Sequence, residues 1–277
     1  MKTVALPGGE RVPALGLGSW RMGESARTRA DEVAAVRRAL DLGLALVDTA
    51  EMYADGGAER VIGEALEGRR EEVFLVSKVY PHNAGRRAAV AACERSLERL
   101  RTDRIDLYLL HWRGTVPLAE TVEAFERLRA GGKIRHWGVS NFDVDDLREL
   151  WRLEDGERCV ANQVYYSAGQ RGIEFDLLPW QRQRRLPLMA YCPIDQGALA
   201  GNRALQGIAR TKGVTTAQVA LAWVLRQPDV IAIPKAVQAA HLRENLAAAS
   251  IELSAAELAR IDAAFAPPTR KRRLAMT

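Results

Sequence analysis

The 277-residue sequence has few cysteines, and their arrangement is not that of a disulfide-rich or zinc-binding protein. There are three, Cys93, Cys159 and Cys192, and no Cys-x-x-Cys pair occurs. An odd number without such a pair argues against a disulfide framework and against a zinc ribbon. We expect three reduced thiols in a cytoplasmic protein, because the redox compartment is the main control on cysteine pairing.

Long apolar runs and concentrated basic patches are also absent. The opening MKTVALPGGERVPALG lacks the apolar stretch of a signal peptide, and no run approaches the roughly 18 apolar residues of a membrane span. The net charge of +5 is dispersed along helical segments, apart from a basic cluster at residues 270–273. Nucleic-acid binding would need a localised basic patch with stacking aromatics. We therefore expect neither a membrane nor a nucleic acid as partner.

The sequence lacks the common phosphate-binding and metal-binding motifs. Gly16-Leu17-Gly18 begins a glycine fingerprint, but Arg21 stands where the third glycine is required, and there is no Walker loop. The histidines have no metal-ligand spacing among themselves, so no metal site is predicted locally. They are His82, His111, His136 and His241. Carboxylates from distant strands could still form such a site, so a metal-dependent hydrolase barrel stays open as an alternative.

What the sequence does contain is a regular alternation of short apolar runs and amphipathic stretches. After a predicted hairpin with its turn at residues 7–10, eight buried strands alternate with helices, one of which has Thr215 or Thr216 as its N-cap. The predicted strands are residues 15–18, 44–47, 73–76, 105–110, 134–139, 160–164, 188–191 and 230–233.

This alternation predicts the fold class. Strands that alternate with helices pair in parallel through right-handed crossovers. Eight units in roughly 250 residues favour a closed (β/α)8 barrel of the TIM type. A doubly wound open sheet is the alternative. No linker divides the chain, so we predict one domain over residues 1–277, with an N-terminal hairpin and extra C-terminal helices.

Polar side chains end most of the predicted strands. Each alone could be a helix cap, a solvated strand end or a buried, hydrogen-bonded histidine. In a barrel of this kind, however, active sites lie at the C-terminal ends of the strands, where these positions converge. They are Asp48, Lys78, His111, Ser140, Asn141, Gln163, Tyr191 and Lys235.

Three of these residues, together with nearby Tyr53, form a set suited to carbonyl reduction. A tyrosine phenol can donate the proton that the carbonyl oxygen needs, but its free pKa is about 10. We expect the Lys78 ammonium to lower the pKa of Tyr53, and Asp48 to hold Lys78 charged and in place. His111 would hydrogen-bond the carbonyl and orient it. We therefore predict Tyr53 as the general acid.

Several segments resemble the aldo-keto reductases. They are VDTAEMY at residues 47–53, VSK at 76–78, DLYLLHW at 106–112, GVSNF at 138–142, IPK at 233–235 and REN at 243–245. The resemblance covers essentially the whole chain in order. It is strongest to bacterial members that reduce methylglyoxal and other small aldehydes. It implies an NADPH-dependent oxidoreductase that is a monomer and acts on a small carbonyl compound.

The resemblance also implies roles for individual residues. Asp48, Tyr53, Lys78 and His111 match the catalytic tetrad. Trp20, Tyr53, His111 and Trp112 match the substrate pocket. The implied cofactor-binding residues are Gly18, Trp20, Asp48, Ser140, Asn141, Gln163, Tyr191, Cys192, Pro193, Ile194, Gln196, Gly197, Ile233, Pro234, Lys235, His241, Glu244 and Asn245.

Among the implied cofactor residues, some have specific tasks. Ser140, Asn141 and Gln163 would bind the nicotinamide carboxamide, and Tyr191 would stack on the ring. Residues 193–197 would cover the pyrophosphate. Lys235 would pair with the 2′-phosphate, and Glu244 and Asn245 would contact the adenine.

The chain departs from the family pattern at three cofactor positions and has a short tail. Ala236 replaces a frequent serine, His241 a frequent arginine and Cys192 a common serine. We still expect NADPH to be preferred, because Lys235 is retained, and by a margin that grows as His241 protonates in acid. The short segment after Phe265 implies an open pocket suited to small or varied aldehydes.

A binding or regulatory protein on the same fold is a further alternative, since a fold alone does not determine function. The presence of all four tetrad residues argues against it, because a pure binder has no chemical need for them. NADPH oxidation with methylglyoxal would separate the two.

Overall fold

The computed structural model describes residues 2–277. The chain begins with an antiparallel hairpin of β1 (Thr3–Ala5) and β2 (Arg11–Pro13). Glu10 in its turn accepts hydrogen bonds from Arg135 and His136, near the start of a barrel strand, at 2.8 and 2.7 Å. The hairpin is therefore tied to the N-terminal end of the barrel, opposite the strand ends that carry the polar residues.

Eight parallel strands follow, and each pairs with its neighbour in chain order. They are β3 (Leu17–Gly18), β4 (Leu46–Asp48), β5 (Phe74–Val79), β6 (Ile105–Leu110), β7 (Ile134–Ser140), β8 (Asn162–Tyr165), β9 (Leu188–Tyr191) and β10 (Val230–Ala232). The helices are α1 (Arg29–Asp41), α2 (Gly57–Ala65), α3 (Ala88–Leu100), α4 (Leu118–Ala130), α5 (Val144–Leu150), α6 (Leu177–Gln183), α7 (Arg203–Lys212), α8 (Thr216–Leu225), α9 (Ala239–Ala248) and α10 (Ala255–Ala264).

The first and last barrel strands meet and close the sheet. Parallel bridges join Leu15 to Ala232 and Gly18 to Lys235. A Cβ on Gly18 would lie 2.7 Å from the carbonyl oxygen of Ile233, so this close approach requires glycine. The prediction of a (β/α)8 barrel with an N-terminal hairpin is confirmed, and the open doubly wound sheet is wrong.

Local differences from the predicted elements have simple causes. Strands β6 and β9 have the predicted bounds, and the other six barrel strands begin or end one to three residues away from the predicted positions. Apolar residues show which part of the chain is buried, whereas the ends of a strand are set by where its backbone hydrogen bonds to the neighbouring strands begin and end. Helix α7 was not predicted because only Leu205, Ile208 and Ala209 bury its inner face.

The core is continuous, and its last helices follow the predicted pattern. Helix α8 is buried from Gln218 to Leu225, and Thr215 caps it by accepting a hydrogen bond from the Gln218 amide at 3.2 Å. Of the two predicted caps, Thr215 is the one used. Over residues 2–277, no helix is both long and apolar enough to cross a membrane.

Candidate active site

The C-terminal ends of the barrel strands surround a cleft of about 590 Å³. Most of the predicted site residues line it, so the convergence expected from the barrel is present. The lining residues are Gly18, Trp20, Arg21, Asp48, Met52, Tyr53, His111, Trp112, Ser140, Asn141, Gln163, Tyr191, Cys192, Pro193, Ile194, Gln196, Gly197, Ile233, Pro234, Lys235, Met276 and Thr277.

A buried ion pair forms the floor of the cleft. Lys78 Nζ donates to Asp48 Oδ2 at 2.7 Å, to the Thr49 carbonyl oxygen at 2.9 Å and to the Tyr53 hydroxyl at 3.3 Å. The Lys78 side chain is 0% exposed and that of Asp48 is 2% exposed. A buried ammonium is costly unless its donors are satisfied, and here all three have an acceptor. The predicted Asp48–Lys78–Tyr53 arrangement is therefore present in the structure.

Burial opposes charge on both members of this pair. It lowers the pKa of Lys78 from its ordinary value, and the Asp48 carboxylate acts in the opposite direction. Burial likewise raises the pKa of Asp48, against the pull of Lys78. The charged state of each residue thus depends on the other, which fits the predicted task of Asp48.

Tyr53 differs from expectation in the direction of its pKa shift. Burial, followed by the negative charge of Asp48, raises the pKa of Tyr53 well above its ordinary value. The expectation that Lys78 lowers this pKa is therefore wrong in direction. The physical reason is that burial disfavours the phenolate and that the Asp48 carboxylate repels its negative charge. Tyr53 is a neutral phenol with its proton in place.

Two buried glutamates, which the sequence analysis missed, brace the tyrosine segment against β5. Glu51 accepts hydrogen bonds from the Tyr80 amide at 2.7 Å and from Asn83 Nδ2 at 3.1 Å. Glu59 accepts hydrogen bonds from Ser77 Oγ and from Arg99 Nε, each at 2.6 Å. These contacts hold the loop after β4 and the start of α2 beside the strand that carries Lys78.

His111 forms the facing wall. Its backbone amide continues the ladder by donating to the Val79 carbonyl oxygen at 3.0 Å. Its ring lies edge-on to that of Tyr53, with centroids 5.8 Å apart and planes at 72°. Burial, helped by the charge of Lys78, lowers the pKa of His111 well below its ordinary value, so the imidazole is neutral. Its Nδ1 atom is buried and has no hydrogen-bond partner among residues 2–277.

A connected set of polar side chains lies beside the tetrad. Gln163 Nε2 donates to Asp48 Oδ1 at 2.8 Å, and Ser140 Oγ donates to the Gln163 carbonyl oxygen at 2.8 Å. The Tyr191 hydroxyl donates to Asn141 Oδ1 at 2.9 Å. One face of the Tyr191 ring stacks on Tyr165, at 5.4 Å between centroids. These predicted residues thus form one wall of the cleft.

The loop after β9 covers one side of the cleft through an unusual backbone. Cys192, Asp195, Gln196 and Gly197 all have positive φ angles, between 48° and 90°. Such angles disfavour non-glycine residues, so the surrounding contacts must maintain them. One contact is a hydrogen bond from the Tyr165 hydroxyl to the Asp195 carboxylate.

The predicted phosphate and adenine contacts lie at the edge of the cleft or outside it. Lys235 is exposed at the cleft and has no salt bridge among residues 2–277. Helix α9 carries His241, Glu244 and Asn245, and none of the three lines the cleft. His241 is exposed, Glu244 half-buried and Asn245 buried.

Four lining residues were missed by the sequence analysis. Arg21 and Met52 each adjoin a predicted residue in the chain, so proximity was the only available signal. Met276 and Thr277 come from the tail that we expected to leave the pocket open. These two residues reach the cleft and form part of its wall.

The structure also bears on the metal-site alternative. Over residues 2–277, no group of three or more histidine, cysteine, aspartate or glutamate side chains lies together as metal ligands would. The polar groups of the cleft are instead a phenol, an ammonium, an imidazole and amides, which suit hydrogen bonding to a carbonyl compound and a carboxamide.

Comparisons with known proteins agree with this geometry. The model of the aldo/keto reductase family matches residues 14–266. A methylglyoxal reductase, YeaE, from Escherichia coli (strain K12) is 54% identical, over 99% of each chain. A glyoxal reductase from Bacillus subtilis (strain 168) is 37% identical, over 94% of this chain and 92% of its own. The crystal structure of an aldo-keto reductase from Klebsiella pneumoniae in complex with NADPH superposes with a TM-score of 0.98 at 55% identity, covering 100% of this chain and 99% of its own.

Proposed function

Because the chain belongs to the aldo/keto reductase family, we propose that it is an NADPH-dependent reductase of small aldehydes and ketones, including methylglyoxal. Its similarity to reductases of methylglyoxal and glyoxal supports this substrate class. The NADPH complex of the Klebsiella pneumoniae protein, whose fold is nearly the same, supports NADPH as the cofactor.

The observation that carries the proposal is the line of contacts from Asp48 through Lys78 to the Tyr53 hydroxyl, with His111 on the facing wall. A carbonyl oxygen between Tyr53 and His111 would accept a hydrogen bond from each. When bound, NADPH supplies the hydride that adds to the carbonyl carbon. Tyr53 gives its proton to the carbonyl oxygen, and the product is an alcohol.

The protonation states match these tasks. A general acid must carry its proton before reaction, and burial ensures this by raising the pKa of Tyr53. As the O–H bond breaks, the Lys78 ammonium at 3.3 Å stabilises the developing phenolate. His111 is neutral, so one ring nitrogen is a donor. We assign that role to Nε2, because Nδ1 is buried.

The polar wall of the cleft fits a nicotinamide carboxamide, which needs a donor for its oxygen and an acceptor for its amino group. Asn141 and Gln163 each offer an amide, and Ser140 offers a hydroxyl. The Nε2 atom of Gln163 is engaged by Asp48, which leaves its oxygen as the acceptor. On the facing wall, His111 Nδ1 is a buried polar atom without a hydrogen-bond partner among residues 2–277.

Two exposed cations at the cleft suit the phosphates of the cofactor. Lys235 lies at the end of the barrel strands without a carboxylate partner among the residues described. Among the described residues, Arg21 has one ion pair, an exposed contact with Glu24 at 3.4 Å, and its guanidinium lies 5.9 Å from the centre of the Trp20 ring. Charge-assisted hydrogen bonds from such groups are a common means of holding phosphate. We therefore add Arg21 to the cofactor residues and keep Lys235 as the contact of the 2′-phosphate.

We also propose that the protein acts as a monomer in a reducing compartment such as the cytoplasm. One chain supplies every group assigned above, and its three cysteines are unpaired. Light scattering after gel filtration tests the first point, with a mass near 30.6 kDa expected. A mass twice as large would refute it.

A substrate panel assayed with both NADPH and NADH tests the function. The panel contains methylglyoxal, glyoxal, benzaldehyde and a steroid ketone, and turnover is followed by loss of the reduced nicotinamide absorbance. We expect the highest kcat/KM with NADPH and the two small aldehydes. NADPH binding without turnover of any carbonyl compound would favour a binding or regulatory protein and would refute the reductase.

A further inference from the structure

The segment after α10 returns to the active site. We call residues 266–277 the C-terminal strap; it contains no helix or strand. Its last two residues, Met276 and Thr277, line the catalytic cleft. The Met276 side chain is large and apolar, and the residue is 53% exposed at the cleft. The strap therefore contributes to the shape of the pocket although it lies far in sequence from the tetrad.

One lysine fastens the strap to the barrel through three carboxylates. Lys271 Nζ lies 2.9 Å from Asp145 Oδ2, 3.8 Å from Asp176 Oδ2 and 3.9 Å from Asp143 Oδ2. We call this group of four residues the clasp. Asp143 and Asp176 are the N-cap residues of α5 and α6, which follow two neighbouring barrel strands. The clasp therefore connects the strap to two successive units of the barrel.

Apolar packing supports the strap only in places. Phe265, just before it, and Leu274 within it pack against the core. Between them lies a second cavity of about 310 Å³, bounded by the strap and by the loop after β8. Arg272 and Arg273 line this cavity and have no salt bridge among residues 2–277. Within the strap, the Lys271 clasp is the salt-bridge attachment to the barrel, between the Arg171 hydrogen bond to the Phe265 carbonyl oxygen at one end and the Thr277 backbone contact with Tyr191 at the other.

We propose that Lys271 is a positioning residue for substrate selection: its clasp holds Met276 as an apolar wall of the catalytic cleft. This wall adds contact area for a small uncharged aldehyde and takes up the space that a larger one needs. The inference rests on the proposed reductase function and deepens it. The tetrad is separate from the clasp, so the chemistry itself does not depend on Lys271.

The clasp is exposed and should therefore respond to salt. The side chains of its four residues are between 31% and 66% exposed. The screening length falls from about 10 Å at 0.1 M salt to about 3 Å at 1 M. Arg148, at 3.2 Å from Asp145, is the neighbouring cation that competes for one carboxylate. High salt should loosen the strap in the native protein and have little effect once Lys271 is removed.

The test compares Lys271→Ala with the native chain at saturating NADPH, using methylglyoxal and benzaldehyde, which are both uncharged. We expect the KM for methylglyoxal to rise about three- to tenfold, at or below the lower end of the roughly 10- to 200-fold range for losing one buried apolar contact, because Met276 is 53% exposed. Its kcat should be nearly unchanged. The benzaldehyde-to-methylglyoxal ratio of kcat/KM should rise by a similar factor, because the larger aldehyde gains space.

Matched variants separate positioning from a general effect on the fold. Lys212→Ala removes a lysine that contacts one carboxylate, Glu257 at 3.2 Å, away from the cleft, and it should leave the ratio unchanged. Lys271→Arg should keep the native benzaldehyde-to-methylglyoxal ratio of kcat/KM, because arginine retains the positive charge. Met276→Ala should reproduce the change with the clasp intact, and the Lys271→Ala/Met276→Ala double variant should add little.

The outcomes are distinguishable. An unchanged substrate ratio in Lys271→Ala, or an equal change in Lys212→Ala, would overturn the inference. So would a loss of kcat for both aldehydes, since that would mean the tetrad is disturbed. If the native protein does not oxidise NADPH with any aldehyde, the proposed function fails first, and this inference fails with it.

Discussion

Replacing Tyr53 by phenylalanine removes the proposed proton donor and little else. The hydroxyl accepts one hydrogen bond from Lys78, at 3.3 Å. After its loss, Lys78 still has Asp48 at 2.7 Å and the Thr49 carbonyl oxygen at 2.9 Å. The net cost to stability should therefore be that of one hydrogen bond, about 0.5–1.5 kcal/mol. The variant should fold and bind NADPH nearly as the native protein does.

The effect on turnover should be much larger. Proton transfer by a positioned side chain contributes about 10²- to 10⁴-fold to the rate. At about 1.36 kcal/mol for each factor of ten, this is about 2.7–5.4 kcal/mol of transition-state stabilisation. We expect Tyr53→Phe to lower kcat by that factor, with little change in the dissociation constant of NADPH.

The assay combines initial rates of NADPH oxidation, NADPH titration by quenching of tryptophan fluorescence, and thermal unfolding. Tyr80→Phe is the matched control. The Tyr80 ring lies near Trp112, at 5.8 Å between centroids, and its hydroxyl has no hydrogen-bond partner among the described residues. This control should turn over normally. Near-native turnover by Tyr53→Phe would refute the assignment of the acid.

Three further predictions follow from the ion pair, the imidazole and the exposed lysine. Lys78→Met leaves Asp48 buried without its cation and should lower the free energy of unfolding by about 3–5 kcal/mol. Because burial raises the pKa of Asp48, protonation stabilises the folded variant in acid, and the loss should be smaller at about pH 5 than at about pH 8. With saturating NADPH, kcat should show no transition near pH 6.5, because burial holds the pKa of His111 well below that value. Lys235→Met should raise the KM for NADPH by about 10- to 150-fold, equivalent to about 1.5–3 kcal/mol for a hydrogen bond to a charged group, and leave the KM for NADH unchanged.

Each has a result that contradicts it. Denaturant unfolding that gives the same loss for Lys78→Met at both pH values would mean that Asp48 does not carry an unpaired charge. A fall in kcat centred near pH 6.5 that disappears in His111→Asn would show that the imidazole titrates in its ordinary range. If Lys235→Met raised the KM values for NADPH and NADH equally, Lys235 would not be a contact of the 2′-phosphate.

The barrel and the tetrad could be predicted because both depend on regular features of the chain. Strands that alternate with helices must pair in chain order, so residues at successive strand ends become neighbours. Asp48 ends β4, and β4 pairs with the strand that carries Lys78, with Asp48 opposite Val76. The ion pair therefore follows from the fold class and the residue types.

The pKa of Tyr53 could not be predicted in the same way. The direction of the pKa shift depends on how deeply the phenol is buried and on how close the Asp48 carboxylate lies to it. The sequence gives the identities of these groups but not their burial. Burial is the largest cause of the shift for Tyr53, Lys78 and His111 alike.

Contacts between distant parts of the chain also could not be predicted from the sequence. Lys271 and Asp145 are 126 residues apart, and Glu59 and Arg99 are 40 residues apart. Neither pair belongs to a local pattern, since each depends on where a loop or a tail lies on the finished barrel. For the same reason, the sequence predicted an open pocket, whereas Met276 lines the cleft.

The central claim is that Tyr53 and His111 donate to the same carbonyl oxygen. A crystal structure of this protein with NADP⁺ and acetate tests it most directly, since acetate offers a carbonyl-like oxygen. We predict one acetate oxygen within hydrogen-bond distance of both the Tyr53 hydroxyl and His111 Nε2. Acetate bound in the cleft to neither residue, or a Tyr53 hydroxyl turned away from Lys78 when the cofactor is present, would contradict it.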